Sequence, residues 1–129
     1  RGNQDCHVIL RGGKQPNYSA ADVDATCAVL KAAGLREQVM IDVSHANSSK
    51  QHQRQITVAA EVAQQIAAGD ARITGLMIES HLQEGRQDIV PGQPLAQGVS
   101  VTDACISMAQ TVPVLEGLAA AVRARRQKA

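Results

Sequence analysis

The sequence contains almost no aromatic side chains: Phe and Trp are absent, and Tyr18 is the single Tyr. Globular domains usually build their cores around several such rings. The core of this chain must therefore consist of Val, Ile, Leu and Ala. Such a composition is typical of helices that pack closely on a parallel sheet, and it also fits a part of a larger unit.

The chain has neither an excess of one charge nor a long apolar run. A net charge of +1 gives no electrostatic basis for binding nucleic acid or an anionic membrane. The apolar runs are shorter than the roughly 20 residues of a membrane span, and the N-terminal stretch lacks the pattern of a secretory signal. Arg1, rather than Met, stands first, which we interpret as a position within a longer chain. We expect neither nucleic acid nor membrane as a partner.

Cysteines are few, odd in number and widely separated: Cys6, Cys27 and Cys105. This is not the pattern of a disulfide framework, so we expect reduced thiols and a cytoplasmic protein. The spacing does not suit a metal cluster either. We interpret Cys6 and Cys105 as small packing residues rather than nucleophiles.

Short apolar runs predict three strands, at His7–Leu10, Val39–Ser44 and Ile73–Ser80. The first should be buried on both faces, as in parallel sheets, and the second should also be buried. A short fourth strand is predicted at Val99–Cys105. A loop of 18 residues, rich in Gly, Pro and Gln, separates it from the third strand, and loops of this length usually have a function.

Capping patterns and apolar periodicity predict three helices between and after these strands. Ser19, with Asp22, should cap the first helix, whose apolar face is Ala20, Val23, Cys27 and Leu30 and whose C-cap is Gly34. The second should run over residues 50–68, with a cap at Asn47–Ser49, an end at Gly69 and an apolar face of Ile56, Ala59, Val62, Ala63 and Ile66. For the third we expect Thr111 as cap, Pro113 in the first turn, an apolar face of Val112, Leu115, Leu118, Ala119 and Val122, and a solvated basic end at Arg123, Arg125, Arg126 and Lys128.

The resulting order, βαβαβ–loop–βα, predicts an α/β fold of parallel strands joined by right-handed crossovers. A doubly wound sheet and part of a (β/α)8 barrel both have this pattern. A complete barrel needs about 200 residues or more, so 129 residues amount to only about half of one.

Four polar side chains follow or adjoin the predicted C-terminal ends of strands, where both architectures place their working residues: Arg11, His45, Glu79 and Asp103. The intervals from Arg11 to His45 and from His45 to Glu79 are both 34 residues. His, Glu and Asp together form a ligand set for a divalent metal of Mn, Fe, Co or Zn type, and a guanidinium pairs with a phosphate or carboxylate. The pattern predicts a metal site with an anion-binding Arg.

Each residue alone also has a simpler interpretation. His45 would be a hydrogen-bonded structural histidine, Glu79 an ion-pair partner and Asp103 a helix N-cap. Asp42, inside the second strand, would serve either the structure or catalysis. His81 is close enough to Glu79 to support the site, whereas no role is predicted for His7 or His52.

Four long stretches of the sequence closely resemble successive motifs of the type I 3-deoxy-D-arabino-heptulosonate 7-phosphate (DAHP) synthases. They are GNQDCHVILRGGKQPNYSA, VMIDVSHANSSKQ, GLMIESHLQEGRQ and SVTDACI. The resemblance extends over essentially the whole chain, in the right order. It implies that residues 1–129 form the C-terminal portion, about strands 5–8, of a (β/α)8 TIM barrel.

The resemblance also implies a reaction and a site. The reaction is the metal-dependent condensation of phosphoenolpyruvate with erythrose 4-phosphate to DAHP plus phosphate, the first step of the shikimate pathway. His45, Glu79 and Asp103 would be metal ligands, Arg11 would contact phosphoenolpyruvate, and His45 would lie beside that substrate. A homo-oligomer is expected for the full-length enzyme.

Several parts of the family pattern lie outside this sequence: the Cys that binds the metal, the Lys-Pro-Arg-Thr loop, the other phosphoenolpyruvate-binding cations and the inhibitor-binding region. Met108 also stands where many members have an aromatic residue. Three interpretations follow. The chain is a segment of an active synthase, an inert half-barrel that self-associates through open sheet edges, or an unrelated metal-dependent lyase or hydrolase on the same scaffold.

Overall fold

The structure is a computed structural model that describes residues 2–3 and 5–128. Its sheet contains three parallel strands that lie side by side in chain order: β1 (Val8–Leu10), β2 (Val39–Asp42) and β3 (Ile73–Met77). The alternation of parallel strands and helices confirms the predicted α/β class. All three strands are shorter than predicted.

The central strand is buried on both faces, but the edge strand is not. Val39, Ile41 and the Asp42 carboxyl are almost completely buried in β2. In β1 the prediction of two buried faces is wrong, because Val8 and Ile9 are 37% and 49% exposed. The strand pairs only with β2, so one of its edges has no partner strand among the described residues.

Helix α1 (Ala20–Ala32) begins with the predicted capping box. The Ser19 hydroxyl accepts a hydrogen bond from the Asp22 N–H, and the Asp22 carboxylate accepts one from the Ser19 N–H. Ala33 is the C-cap, and Gly34 follows it in the left-handed conformation. The buried face is Val23, Cys27 and Leu30, whereas Ala20 is exposed.

Helix α2 (Arg54–Ala68) begins four residues later than predicted, and Asn47–Ser49 do not cap it. Ser49 and Lys50 have positive φ angles of 54° and 58°, which a right-handed helix cannot include. Gly69 ends the helix as predicted. The buried face differs slightly from the predicted one, because Ile56 and Ala63 are only half buried; it consists of Gln55, Val58, Ala59, Val62 and Ile66.

A second, two-stranded parallel sheet continues beyond β3: β4 (Ser80–His81) pairs with β5 (Ile106–Ser107). The predicted strand Val99–Cys105 is wrong, since only isolated bridges occur there, at Ser100 and Cys105. The Ser100 hydroxyl accepts a bond from the Thr102 N–H, and this local turn takes the backbone out of an extended conformation.

Helix α3 (Met108–Arg126) is capped by Ser107, whose hydroxyl accepts a bond from the Gln110 N–H. Thr111 is therefore not the cap; it lies buried within the helix, as Pro113 also lies inside it. The predicted apolar face is partly wrong, because Val112 and Leu115 are about half exposed and Ala119 is exposed, while the residues that pack on the core are Val114, Leu118, Ala121 and Val122. Within the part of the chain that the structure describes, no helix combines the length and apolar character that a bilayer crossing requires.

The cysteines of the described residues are all free thiols. Cys27 and Cys105 are buried, and burial raises the pKa of both thiols. Cys105 is thus the packing residue that we expect, whereas Cys6 is exposed and is not one.

A cluster of charged side chains lies at the N-terminal edge of the sheet, just before β3. The Arg72 guanidinium donates to both Asp70 carboxylate oxygens, at 2.9 and 2.7 Å, and to Asp24 of α1 at 2.6 Å. Arg125 of α3 donates to the carbonyl oxygens of Asp70 and Ile73. The interpretation of the basic helix end as fully solvated is therefore wrong for Arg125. The cluster joins the start of β3 to two helices.

Replacing Asp70 by Asn should reduce stability in a pH-dependent way. Hydrogen bonds from Arg72 outweigh burial and hold the Asp70 pKa below its ordinary value of 3.8. The stabilisation is therefore complete above pH 3.8 and is lost as the pH falls through the lowered pKa of the folded state. We expect Asp70→Asn to cost about 1–2 kcal/mol at neutral pH, and less in acid. Urea unfolding across this pH range measures it. Asp88→Asn, which removes an exposed carboxylate, is the control, and equal losses in both variants would contradict the assignment.

Candidate metal centre

The four residues predicted at strand ends lie around one cavity of about 170 Å³. Arg11 follows β1, His45 follows β2, Glu79 lies between β3 and β4, and Asp103 precedes β5. The carboxyl ends of adjacent parallel strands meet at one edge of a sheet, which brings Arg11, His45 and Glu79 together. Asp103 is not at a strand end as predicted, and it reaches the cavity from the segment that precedes β5. The complete lining is Arg11, Ser44, His45, Lys50, His52, Glu79, Asp103 and Ala104.

Three of these side chains are arranged as ligands of a metal ion could be. His45, Glu79 and Asp103 each offer one donor atom, and the three atoms all lie within 4.8 Å of one another. The His45 Nε2 atom is 3.7 Å from Glu79 Oε1. One imidazole nitrogen and two carboxylate oxygens suit divalent ions of Mn, Fe, Co or Zn type. The donor set and its spacing fit such an ion.

The Asp42 carboxylate fixes the orientation of the His45 ring. It is almost completely buried, and its Oδ2 atom is 2.7 Å from His45 Nδ1, while Oδ1 accepts a bond from the Ser44 N–H at 2.8 Å. In the neutral ring this contact favours the tautomer in which Nδ1 donates to the carboxylate and Nε2 has the lone pair. The free nitrogen faces Glu79 and the cavity.

Ser44 holds the second carboxylate of the cluster. Its hydroxyl donates to Glu79 Oε2 at 2.6 Å, which leaves Oε1 on the side of His45. Sequence reasoning missed Ser44, because a serine at a strand end carries no distinguishing pattern. Two adjacent residues therefore serve the site: His45 is a candidate ligand, and Ser44 holds the candidate ligand Glu79 in place.

A buried amide joins the ends of β1 and β2 below the site. The Asn47 side chain donates to the carbonyl oxygens of Leu10 and Asp42, at 3.0 and 2.7 Å, and accepts from the Asn17 N–H at 2.8 Å. The predicted role of Asn47 as a helix cap is wrong. Its side chain instead satisfies backbone groups that the short strands leave unpaired.

The chain passes close to this amide at Gly12. A Cβ atom there would lie 2.8 Å from Ala46 Cβ and 2.9 Å from Asn47 Oδ1, and the backbone has a φ of +75°. Only glycine fits this position. The turn that follows Arg11 is therefore fixed against the segment that contains His45.

Cations occupy another part of the wall. The Arg11 side chain is 62% exposed, and its Nε atom is 3.9 Å from Asp42 Oδ2, so Asp42 does not immobilise it. Lys50 is exposed beside the cavity. His52, for which no role is predicted, also lines it; its buried Nε2 atom has no hydrogen-bond partner and is 3.8 Å from a Glu84 oxygen.

The other two histidines lie away from this wall. His81 is exposed and bonds to the carbonyl of Gly98. It does not line the cavity, and the structure shows no contact by which it would support Glu79. His7 is exposed just before β1, at the opposite edge of the sheet.

Comparisons with known proteins agree with this geometry. The sequence model described as the DAHP synthetase I family matches residues 1–116. The chain belongs to this family.

Curated members of the DAHP synthetase I family are similar over nearly the whole chain. The Phe-sensitive phospho-2-dehydro-3-deoxyheptonate aldolase of Escherichia coli K12 is 58% identical over 125 residues, which is 97% of this chain and 36% of that protein. The tyrosine-inhibited enzyme of Schizosaccharomyces pombe is 55% identical over 132 residues, covering 98% of the chain and 36% of the enzyme. The chain thus spans about a third of the length of these relatives.

A solved structure of the family has the same fold over the matched part. The phospho-2-dehydro-3-deoxyheptonate aldolase of Francisella tularensis SCHU S4 superposes with a TM-score of 0.92 at 50% identity. The match covers 96% of this chain and 36% of that one.

Replacing Asn47 by Ala should destabilise the fold strongly, because the buried carbonyls of Leu10 and Asp42 and the half-buried N–H of Asn17 would each lose a hydrogen bond. We expect a loss of about 2–4 kcal/mol in the free energy of unfolding. Ser49→Ala, an exposed change in the same segment, is the control. Urea denaturation of both variants gives the comparison, and a loss below 1 kcal/mol for Asn47→Ala, as is usual for an exposed polar residue, would contradict the role given to this amide.

Proposed function

We propose that this chain forms the metal-binding part of a DAHP synthase, which condenses phosphoenolpyruvate with erythrose 4-phosphate and releases phosphate. The observation that carries the proposal is the cluster of His45, Glu79 and Asp103 on one cavity, with Arg11 beside it, in a chain of this family. The relatives are named as aldolases of the corresponding product.

We infer that residues 1–129 form about strands 5–8, the C-terminal portion, of a (β/α)8 barrel. The strands lie in the order β1-β2-β3, and β4, two residues after β3, pairs with β5. An order that follows the chain throughout is expected of a barrel, whereas the order of the strands in a doubly wound sheet reverses at one point. The exposed side chains of Val8 and Ile9 suit a strand that another part of the barrel covers.

His45, Glu79 and Asp103 would hold the divalent ion. When bound, such an ion acts as a Lewis acid that polarises a carbonyl oxygen, here the aldehyde of erythrose 4-phosphate. Asp42 presents Nε2 of His45 to the site, and Ser44 keeps the Glu79 carboxylate in place. A further protein ligand would come from outside these residues.

Arg11 would bind phosphoenolpyruvate. Its planar guanidinium can pair with two oxygens of a phosphate or carboxylate, and its exposed side chain can reach into the cavity. Lys50 adds a second positive charge to the wall. With His45 beside the substrate, these groups would align the alkene carbon of phosphoenolpyruvate for attack on the aldehyde.

The alternative is that the chain alone is inert and self-associates. The half-exposed β1, with one edge that lacks a partner strand among the described residues, favours it. The two hypotheses predict different results when the rest of the barrel is supplied, because only an active segment would then gain turnover.

Mn²⁺ binding tests the ligand assignment. We expect the chain to bind Mn²⁺ and His45→Ala to weaken binding by at least about 100-fold. Replacing a residue that only orients a metal ligand already lowers metal affinity by about 10–100-fold, and His45 is itself a proposed ligand. His7→Ala, which removes an exposed histidine outside the cavity, should bind as the unmodified chain does. Electron paramagnetic resonance of free Mn²⁺ measures the dissociation constants. Equal affinities of the two variants would contradict the assignment.

Turnover tests the division of the site between two segments. With both substrates and Mn²⁺, we expect no phosphate release by the chain alone. Release should appear when the part of the E. coli relative outside the matched 125 residues is added. Arg11→Ala should abolish this gain in turnover, because it removes the guanidinium that is proposed to bind phosphoenolpyruvate.

Turnover by the chain alone would contradict the proposal that the active site is shared between this chain and the rest of the barrel. A complex that forms with the added segment yet releases no phosphate would favour the inert alternative.

A further inference from the structure

Glu79 lies between two strands and belongs to neither, since β3 ends at Met77 and β4 begins at Ser80. Both of its backbone polar groups nevertheless have partners. The N–H donates to Gln55 Oε1 at 2.8 Å, and the carbonyl oxygen accepts from Gln55 Nε2 at 3.1 Å. One side-chain amide therefore bonds the peptide groups on both sides of the Glu79 Cα atom.

Gln55 is completely buried on the face of α2 that otherwise consists of Val58, Ala59, Val62 and Ile66. A buried amide is costly unless its donor and its acceptor both have partners. Here the two bonds to Glu79 satisfy both. The Gln55 amide thus provides the hydrogen bonds that a neighbouring strand would otherwise provide. The Ile106 N–H of β5 donates a further bond to the Glu79 carbonyl, at 3.0 Å.

We propose that Gln55 is a positioning residue for the metal ligand Glu79, and this inference rests on the proposed function. The backbone clamp fixes the Cα atom, and the Ser44 hydroxyl fixes Oε2. Together they leave Oε1 at 3.7 Å from His45 Nε2. Helix α2, which supplies no ligand itself, thus sets the spacing between two ligands.

If Gln55 only stabilised the fold, its replacement would lower the stability of the chain but would not specifically weaken metal binding. Gln65 provides a matched comparison, because it lies on the same helix and its Nε2 atom donates to the Tyr18 carbonyl at 2.9 Å, away from the cavity. Replacing either Gln by Met keeps a side chain of similar length and removes an amide that is completely buried at Gln55 and half buried at Gln65. Only Gln55→Met removes the clamp on Glu79.

The test compares Mn²⁺ dissociation constants of the unmodified chain, Gln55→Met and Gln65→Met, each with its thermal unfolding midpoint. We expect Gln55→Met to bind Mn²⁺ about 10–100-fold more weakly, as other residues that orient ligands do, and Gln65→Met to bind as the unmodified chain does. Unchanged affinity in Gln55→Met would overturn the proposal, and so would an equal loss in both variants.

Amide hydrogen exchange without metal tests the clamp independently of variants that could fail to fold. The Glu79 amide should be protected in the unmodified chain although it lies outside both strands. An unprotected amide would overturn the clamp while leaving the metal site intact. Failure of the unmodified chain to bind Mn²⁺, with a protected Glu79 amide, would instead overturn the proposed function.

Discussion

The rest of the candidate site depends on the buried carboxylate of Asp42. One oxygen accepts from the Ser44 N–H and the other contacts His45 Nδ1, while the carbonyl of the same residue accepts from Asn47. The residue therefore ends β2, turns the chain and orients the imidazole at once. Replacing this residue by Ala would release the ring and would leave the Ser44 N–H without the acceptor it has here.

The side chains at the N-terminal and C-terminal ends of the strands have different roles. At the N-terminal edge, Arg72 joins Asp70 to Asp24 and so ties the start of β3 to α1. At the C-terminal edge, polar groups are held by a few buried side chains but remain open to the cavity. This division, stability at one edge and chemistry at the other, is usual for barrels of parallel strands.

Features set by local chemistry or by strand order could be predicted from the sequence. The capping box at Ser19 is local, and the equal spacing of Arg11, His45 and Glu79 indicated convergence because parallel strands end at one edge. Contacts distant in the sequence could not be predicted. The start of α2 is one, since left-handed residues and the Asn47 amide keep the preceding segment out of a helix. The contact of Gln55 with Glu79 is another, since it joins residues that are 24 positions apart and the predicted apolar face of the helix does not include Gln55.

The most direct test is a crystal structure of the chain with Zn²⁺, with anomalous scattering used to locate the ion. The account predicts one strong peak in the cavity, about 2.0–2.2 Å from Nε2 of His45 and from carboxylate oxygens of Glu79 and Asp103. Nδ1 of His45 should remain bonded to Asp42. A peak elsewhere, or a cavity in which the ion lacks these ligands, would contradict it.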